Sequence, residues 1–203
     1  MEEFLISNNG DQMSIYEETY RSFLSDRCII FCGEIGDGVI DDAIMYILKW
    51  NKEDKDLPIE KRKKIRLYIS SVGGSTFSAN MLIDVIAQSK TPVIGVALDL
   101  VASAAYLCYL ACHERYAFEN SSFLQHEGDL SIGNSRSKFK QTAEFFDMME
   151  NRSKEFILSR TKMTSEFYDS VYEQEYWLYA DKAQELGIVD KIVGKDCSID
   201  EVL

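Results

Sequence analysis

Three short apolar runs, separated by segments of helical period, hold this chain to one fold class. Cys28-Ile29-Ile30-Phe31-Cys32 is an unbroken apolar run closed by Gly33, the pattern of a buried strand. Ile65-Arg66-Leu67-Tyr68-Ile69 alternates as a strand, and Pro92-Val93-Ile94-Gly95-Val96-Ala97-Leu98 supplies a third. Residues 41–50, 75–89 and 102–112 read as helices between and after them. The first carries Ile44, Ile47 and Leu48 at helical spacing, and the second places Phe77, Met81, Leu82, Val85 and Ile86 on one side. Strands alternating with helices fold as right-handed βαβ units on a largely parallel sheet, so the expected class is α/β.

The rest of the chain extends that pattern. Residues 115–118 and 122–125 read as two short strands. Residues 139–158 form the longest amphipathic helix, with Phe145, Phe146, Met149, Phe156 and Ile157 as its apolar members. A helix beginning with Asp181 and Ala183 and a strand over 188–193 follow. Residues 1–15 read as a polar arm with a turn at Ser7-Asn8-Asn9-Gly10-Asp11, and residues 16–24 as a short helix. No repeat or linker divides the 203 residues, so a single domain over 1–203 is expected.

Charge narrows the function. With 22 basic and 34 acidic residues the net charge is −12, which argues against nucleic-acid binding, because phosphate contacts need clustered Lys and Arg. The one basic run, Lys61-Arg62-Lys63-Lys64, closes a charged connection over 51–64 and reads as a solvated loop. No apolar run approaches the ~18–20 residues that span a bilayer. The acidic start, Met1-Glu2-Glu3, lacks the features of a secretory signal, so no membrane association and a cytoplasmic setting are expected. Cys28/Cys32 and Cys108/Cys112 are each four apart but lie in apolar stretches, and read as reduced core residues rather than metal ligands.

A few residues stand where chemistry could occur. Gly73-Gly74 separate a strand from a helix, where glycine lets backbone approach a ligand and helix-start N–H groups favour negative charge. A simple tight turn has the same composition. Ser103, in Val101-Ala102-Ser103-Ala104-Ala105-Tyr106, opens a helix. Serine there is often only an N-cap, but its small neighbours would clear space for a substrate. His126 ends the run Ser122-Phe123-Leu124-Gln125, at a strand end where functional residues of α/β sheets collect. His113 sits in a polar turn and reads as solvated. Glu173 and Glu175 lie in Tyr172-Glu173-Gln174-Glu175-Tyr176-Trp177, which alone reads as an exposed acidic helix end. A serine nucleophile needs an imidazole to take its proton, a carboxylate to orient that imidazole, and backbone N–H groups for the oxyanion.

Taken together, these segments resemble the proteolytic subunit of the ATP-dependent Clp protease. The matching stretches include Asp26-Arg27-Cys28-Ile29-Ile30-Phe31, Leu67 through Ser75, Ala102-Ser103-Ala104, Asn120 through His126, and Ala180 through Lys191. The resemblance places the nucleophile on Ser103, the base on His126 and the third member on Glu175, where the family has aspartate. It gives the oxyanion hole to the N–H groups of Gly73 and Ala104. The family's Asn-Ser-Pro-Gly-Gly reads Ser70-Ser71-Val72-Gly73-Gly74 here, its Ser-Met-Gly reads Ser103-Ala104-Ala105, and the arginine before the acid is Gln174.

The resemblance implies a ClpP/crotonase-like α/β fold, with residues 139–158 as a handle helix. It implies self-association into heptameric rings stacked in pairs, with unfolded polypeptide cut to short peptides inside. No metal or organic cofactor is implied. ATP would be used by a separate AAA+ Clp-type unfoldase, in keeping with the lack of a Gly-x-x-x-x-Gly-Lys-Ser/Thr loop. Three other readings use the same parts. A signal-peptide-peptidase-like or capsid-maturation protease on this fold would use a serine–lysine pair. A crotonase-type acyl-CoA enzyme would need no nucleophilic serine, and a non-catalytic ring subunit would need neither serine nor histidine.

Overall fold

The computed structural model describes residues 5–8, 11–128 and 135–203. The N-terminal arm is a hairpin: β1 (Leu5–Asn8) pairs antiparallel with β2 (Asp11–Ser14), Leu5 opposite Ser14 and Asn8 opposite Asp11. Asn9 and Gly10, within the expected turn, lie outside the described residues. Ser14 then starts α1 (Ile15–Ser25) through a capping box with Glu17, which satisfies two helix-end donors reciprocally.

Strands β3 (Cys28–Ile35), β4 (Ile65–Gly74), β5 (Val93–Ala102) and β6 (Glu114–Phe118) run parallel in that order. The late strand β9 (Lys191–Val193) adds in parallel beyond β6. The crossovers are α2 (Met45–Glu53), entered through a π-helical turn at Ile40–Ile44, then α3 (Thr76–Gln88) and α4 (Ala104–Ala111). Ile29, Leu67, Ile69, Leu82, Ile86 and Tyr109 are buried between the sheet and these helices. Cys28, Tyr68, Ile94, Val96 and Tyr116 form a smaller core on the sheet's other side. Burial on both faces is what a parallel sheet requires.

Several expectations are corrected. Gly33 does not end its strand: the register with β4 shifts between Cys32 and Glu34, and Gly33 takes φ +96° at this irregularity. Cys32, expected in the core, is exposed because β3 is an edge strand. Phe77 and Met81 are 55% and 41% exposed. The buried stripe of α3 is instead Ser78, Ala79, Leu82 and Ile86, one residue further round the helix. Arg62, expected in a solvated loop, is buried and donates to the carbonyls of Leu57 and Lys55, folding the connection upon itself.

The handle is α5 (Arg136–Arg160), longer at both ends than expected. After it come α6 (Ser165–Val171), β8 (Tyr176–Tyr179) and α7 (Ala180–Glu185). Among the described residues no helix is long and apolar enough to cross a membrane, and no His, Cys, Asp and Glu side chains cluster as a metal site.

Candidate active site

The site lies where one strand serves two neighbours. The first half of β5 pairs with β6 through Ile94–Ala97, and its last residues, Leu100 to Ala102, pair with β7 (Ser122–Gln125). The buried Ser121 hydroxyl donates to the Ala97 carbonyl at 2.8 Å, fixing the point where the partner changes. Strand β8 then adds antiparallel to β7, with Gln125 opposite Tyr176. Ser103 follows β5 directly and His126 follows β7 directly, so this pairing brings both residues to the same end of the sheet.

Ser103 occupies the junction of β5 and α4 with φ 53° and ψ −124°, a conformation that costs an L-residue on the order of 1–3 kcal/mol. Two backbone bonds hold it. Its N–H donates to the Leu124 carbonyl at 2.9 Å, and its carbonyl accepts from the Tyr106 N–H at 3.0 Å. The hydroxyl makes no capping bond to the helix, so the N-cap reading has no support in the geometry.

The glycine loop packs against this junction. Gly73 has φ +94°, and a Cβ built there would lie 2.7 Å from the Ala102 carbonyl oxygen and 3.0 Å from the Ala104 nitrogen. The two N–H groups expected to serve an oxyanion therefore sit on adjacent turns. In this structure the Gly73 N–H donates to the Ser71 hydroxyl at 3.1 Å, which itself donates to the Gly33 carbonyl.

Ser103, Ala104 and His126 line a cleft of about 230 Å³ beneath the handle. Phe146, Met149, Glu150 and Ile157 of α5 form its opposite wall. Tyr168 and Tyr172 close one side, and burial pushes the Tyr168 phenol up to about 12. Glu175 does not line the cleft: it is exposed, and its carboxylate accepts from the Trp177 indole N–H at 3.1 Å. Among the described residues no hydrogen bond joins Ser103 to His126, or His126 to a carboxylate.

Other groups position these parts. Arg160, in the last turn of the handle, donates to the carbonyls of Leu110 and Cys112 at 2.8 and 2.6 Å, capping the C-terminus of the serine's helix. Arg115 in turn donates to the Arg160 carbonyl and pairs bidentately with Asp190. Nothing in the sequence marks Arg160 beyond its place at the helix end. Sequence reasoning also misses Gln125 and Tyr106, both buried in the cleft; Gln125 shows only as the polar end of the run Ser122-Phe123-Leu124. His113 is not merely solvated. Its Nδ1 accepts the Val93 N–H at 3.1 Å, and burial lowers its pKa. Burial pushes the Cys112 thiol up to about 12, so it is no competing nucleophile.

Residues 10–196 match the family described as Clp protease. The chain is 27% identical over 187 residues to the ATP-dependent Clp protease proteolytic subunit 3 of Rhodococcus jostii, spanning 89% of this chain and 90% of that one. It is 29% identical over 180 residues to the ATP-dependent Clp protease proteolytic subunit 1 of Bacillus cereus, spanning 88% and 90% of the two chains. A solved ClpP1 mutant from Listeria monocytogenes superposes with a TM-score of 0.76 at 21% identity, covering 91% of this chain and 99% of that chain. That likeness bears out the α/β architecture expected from the alternating runs.

Proposed function

The chain belongs to the Clp protease family, and from that premise we propose that it is a serine-type proteolytic subunit that cleaves unfolded polypeptide. The observation that carries the reading is the strained Ser103, its hydroxyl unused by the helix cap, in one cleft with His126. Ser103 Oγ attacks the scissile carbonyl as His126 takes its proton. The developing oxyanion accepts from the Ala104 and Gly73 N–H groups, the latter exchanging the Ser71 hydroxyl for it. His126 then protonates the leaving amine, and water hydrolyses the acyl-enzyme. Glu175 serves as the acid after leaving the Trp177 indole to hold the second imidazole N–H. Among the described residues no lysine lines the cleft, which favours histidine as base over a serine–lysine pair.

In this reading no metal or organic cofactor takes part, and the protein works in the cytoplasm as stacked homo-oligomeric rings with a separate ATP-driven Clp unfoldase. The relatives' designation as ATP-dependent supports the partnership. Exposed Phe139, Phe145 and Met148 on the handle favour packing against further copies. The test is a kinetic cycle. Ser103→Ala and His126→Ala should each lower peptide hydrolysis by about 10⁴–10⁶-fold, with the double variant scarcely worse. Substantial turnover by Ser103→Ala would place the chemistry elsewhere.

A further inference from the structure

The cleft beside Ser103 has a chemical character of its own. Glu127, Asp147 and Glu150 line it, and among the described residues no lysine or arginine does. Lys154, the nearby base on the handle, is held by Asp169 at 2.5 Å, and among the described residues Glu150 makes no ion pair. Glu150 lies at the catalytic end, its Oε1 beside Gly128, two residues after His126.

Two buried polar side chains in the same cleft want a ligand. Gln125 is 4% exposed and Tyr106 1% exposed. Neither the Gln125 amide oxygen or nitrogen nor the Tyr106 hydroxyl has a hydrogen-bond partner among the described residues. Burial makes such vacancies costly unless a bound group fills them. The Tyr172 hydroxyl also makes no bond of ordinary geometry, although burial and the nearby Glu150 carboxylate raise its pKa. Between these polar groups the walls are apolar, formed by Leu107, Phe146, Met149 and Ile157.

We propose that this cleft is a specificity pocket for a basic side chain, arginine or lysine, at the substrate position just before the scissile bond. The proposal rests on Ser103 being the nucleophile. A long basic side chain lays its aliphatic stem along the apolar walls and carries its charge to the polar end. Guanidinium and ammonium groups are donors only, with five and three N–H groups. They suit the Glu150 carboxylate, the Gln125 amide oxygen and the Tyr106 hydroxyl as acceptors. The Gln125 amide nitrogen remains to donate to a substrate carbonyl.

The test uses fluorogenic tripeptides that differ only in the residue before the bond: Arg, Lys, Leu or Glu. Arg and Lys substrates should exceed Leu in kcat/KM by roughly tenfold, with Glu the poorest. Glu150→Gln, near-isosteric and checked for folding by circular dichroism, should reduce the Arg-to-Leu ratio by about tenfold. Glu60→Gln removes the same charge from the remote 51–64 connection and should leave the ratio unchanged. A preference for Leu, or a ratio unmoved by Glu150→Gln, would overturn the proposal. Failure of the hydrolytic reading looks different: no substrate is cleaved, and Ser103 takes up no fluorophosphonate. In that case calorimetry of Ser103→Ala with an acetylated tripeptide arginine amide and its leucine counterpart still decides the pocket. Tighter binding of the arginine peptide supports it, and equal or weaker binding overturns it.

Discussion

A Cβ placed on Gly73 would stand 2.7 Å from the Cβ of Ser103, closer than side chains approach one another. The loop after β4 and the turn after β5 are thus pressed together without room for a methyl group. Glycine at 73 meets two demands at once, the positive φ and this contact. The nucleophile's strained backbone is in turn supported by the loop that carries one proposed oxyanion donor.

Gly73→Ala should therefore fold but lose activity. The added methyl group displaces the loop from Ser103 and Ala104, and loss of one oxyanion donor costs about 10²–10³-fold in kcat. Peptide hydrolysis, with circular dichroism to confirm the fold, checks this. A folded Gly73→Ala of full activity would place the oxyanion donors elsewhere.

The Glu175–Trp177 bond makes a separable prediction. If Glu175 must leave the indole N–H to orient His126, Trp177→Phe should raise kcat, because the competing donor is removed. Glu175→Gln should lower kcat well below the effect of Glu173→Gln, since a neutral amide does not stabilise an imidazolium. Equal, mild effects at both glutamates would mean that the acid is another group or that serine and histidine act as a pair.

Arg160 ties the handle to the serine's helix. Arg160→Met keeps the side chain's length and bulk but leaves the Leu110 and Cys112 carbonyls without their donor. The expected cost is about 1–3 kcal/mol, a Tm lowered by several degrees in a domain of this size. Differential scanning calorimetry measures it, and an unchanged Tm would show that the handle is held by its apolar contacts alone.

His113 gives a pH dependence of known sign. Burial lowers its folded pKa below the free value of 6.5, and Nδ1 must be unprotonated to accept the Val93 N–H. Its contribution is therefore present above 6.5 and lost as pH falls through the folded value. The ring is partly open to solvent, so the effect is modest. Asp54, held low by its bond to Arg27, adds its own loss only below about 3.8, in a separate window. Between pH 7 and 5 the wild-type Tm should fall more steeply than that of His113→Asn, whose amide oxygen accepts without titrating. Parallel curves would remove His113 from the account.

The strands and crossover helices of the sheet were legible because burial on both faces leaves apolar runs that period alone detects. Ser103 and His126 were legible because each directly follows such a run. What escaped was set by tertiary pairing. Strand β8 exists because Tyr176 to Tyr179 find an open edge on β7, and its residues show no apolar alternation of their own. Phe77 reads as core by spacing, yet it stacks on Phe145 of the handle with ring centroids 6.4 Å apart, a contact between distant segments. Arg62 reads as a solvated charge because no local pattern reveals the carbonyls that the folded connection offers it. Gln125 and Tyr106 acquire meaning only once the handle encloses the cleft.

The central claim is that Ser103 is a nucleophile activated by His126. A fluorophosphonate probe followed by peptide mapping in a mass spectrometer tests it most directly. The account predicts a single adduct on Ser103, formed by the wild-type protein and nearly lost in His126→Ala of the same fold. An unlabelled Ser103 in the folded, assembled protein, or labelling indifferent to His126→Ala, would contradict it.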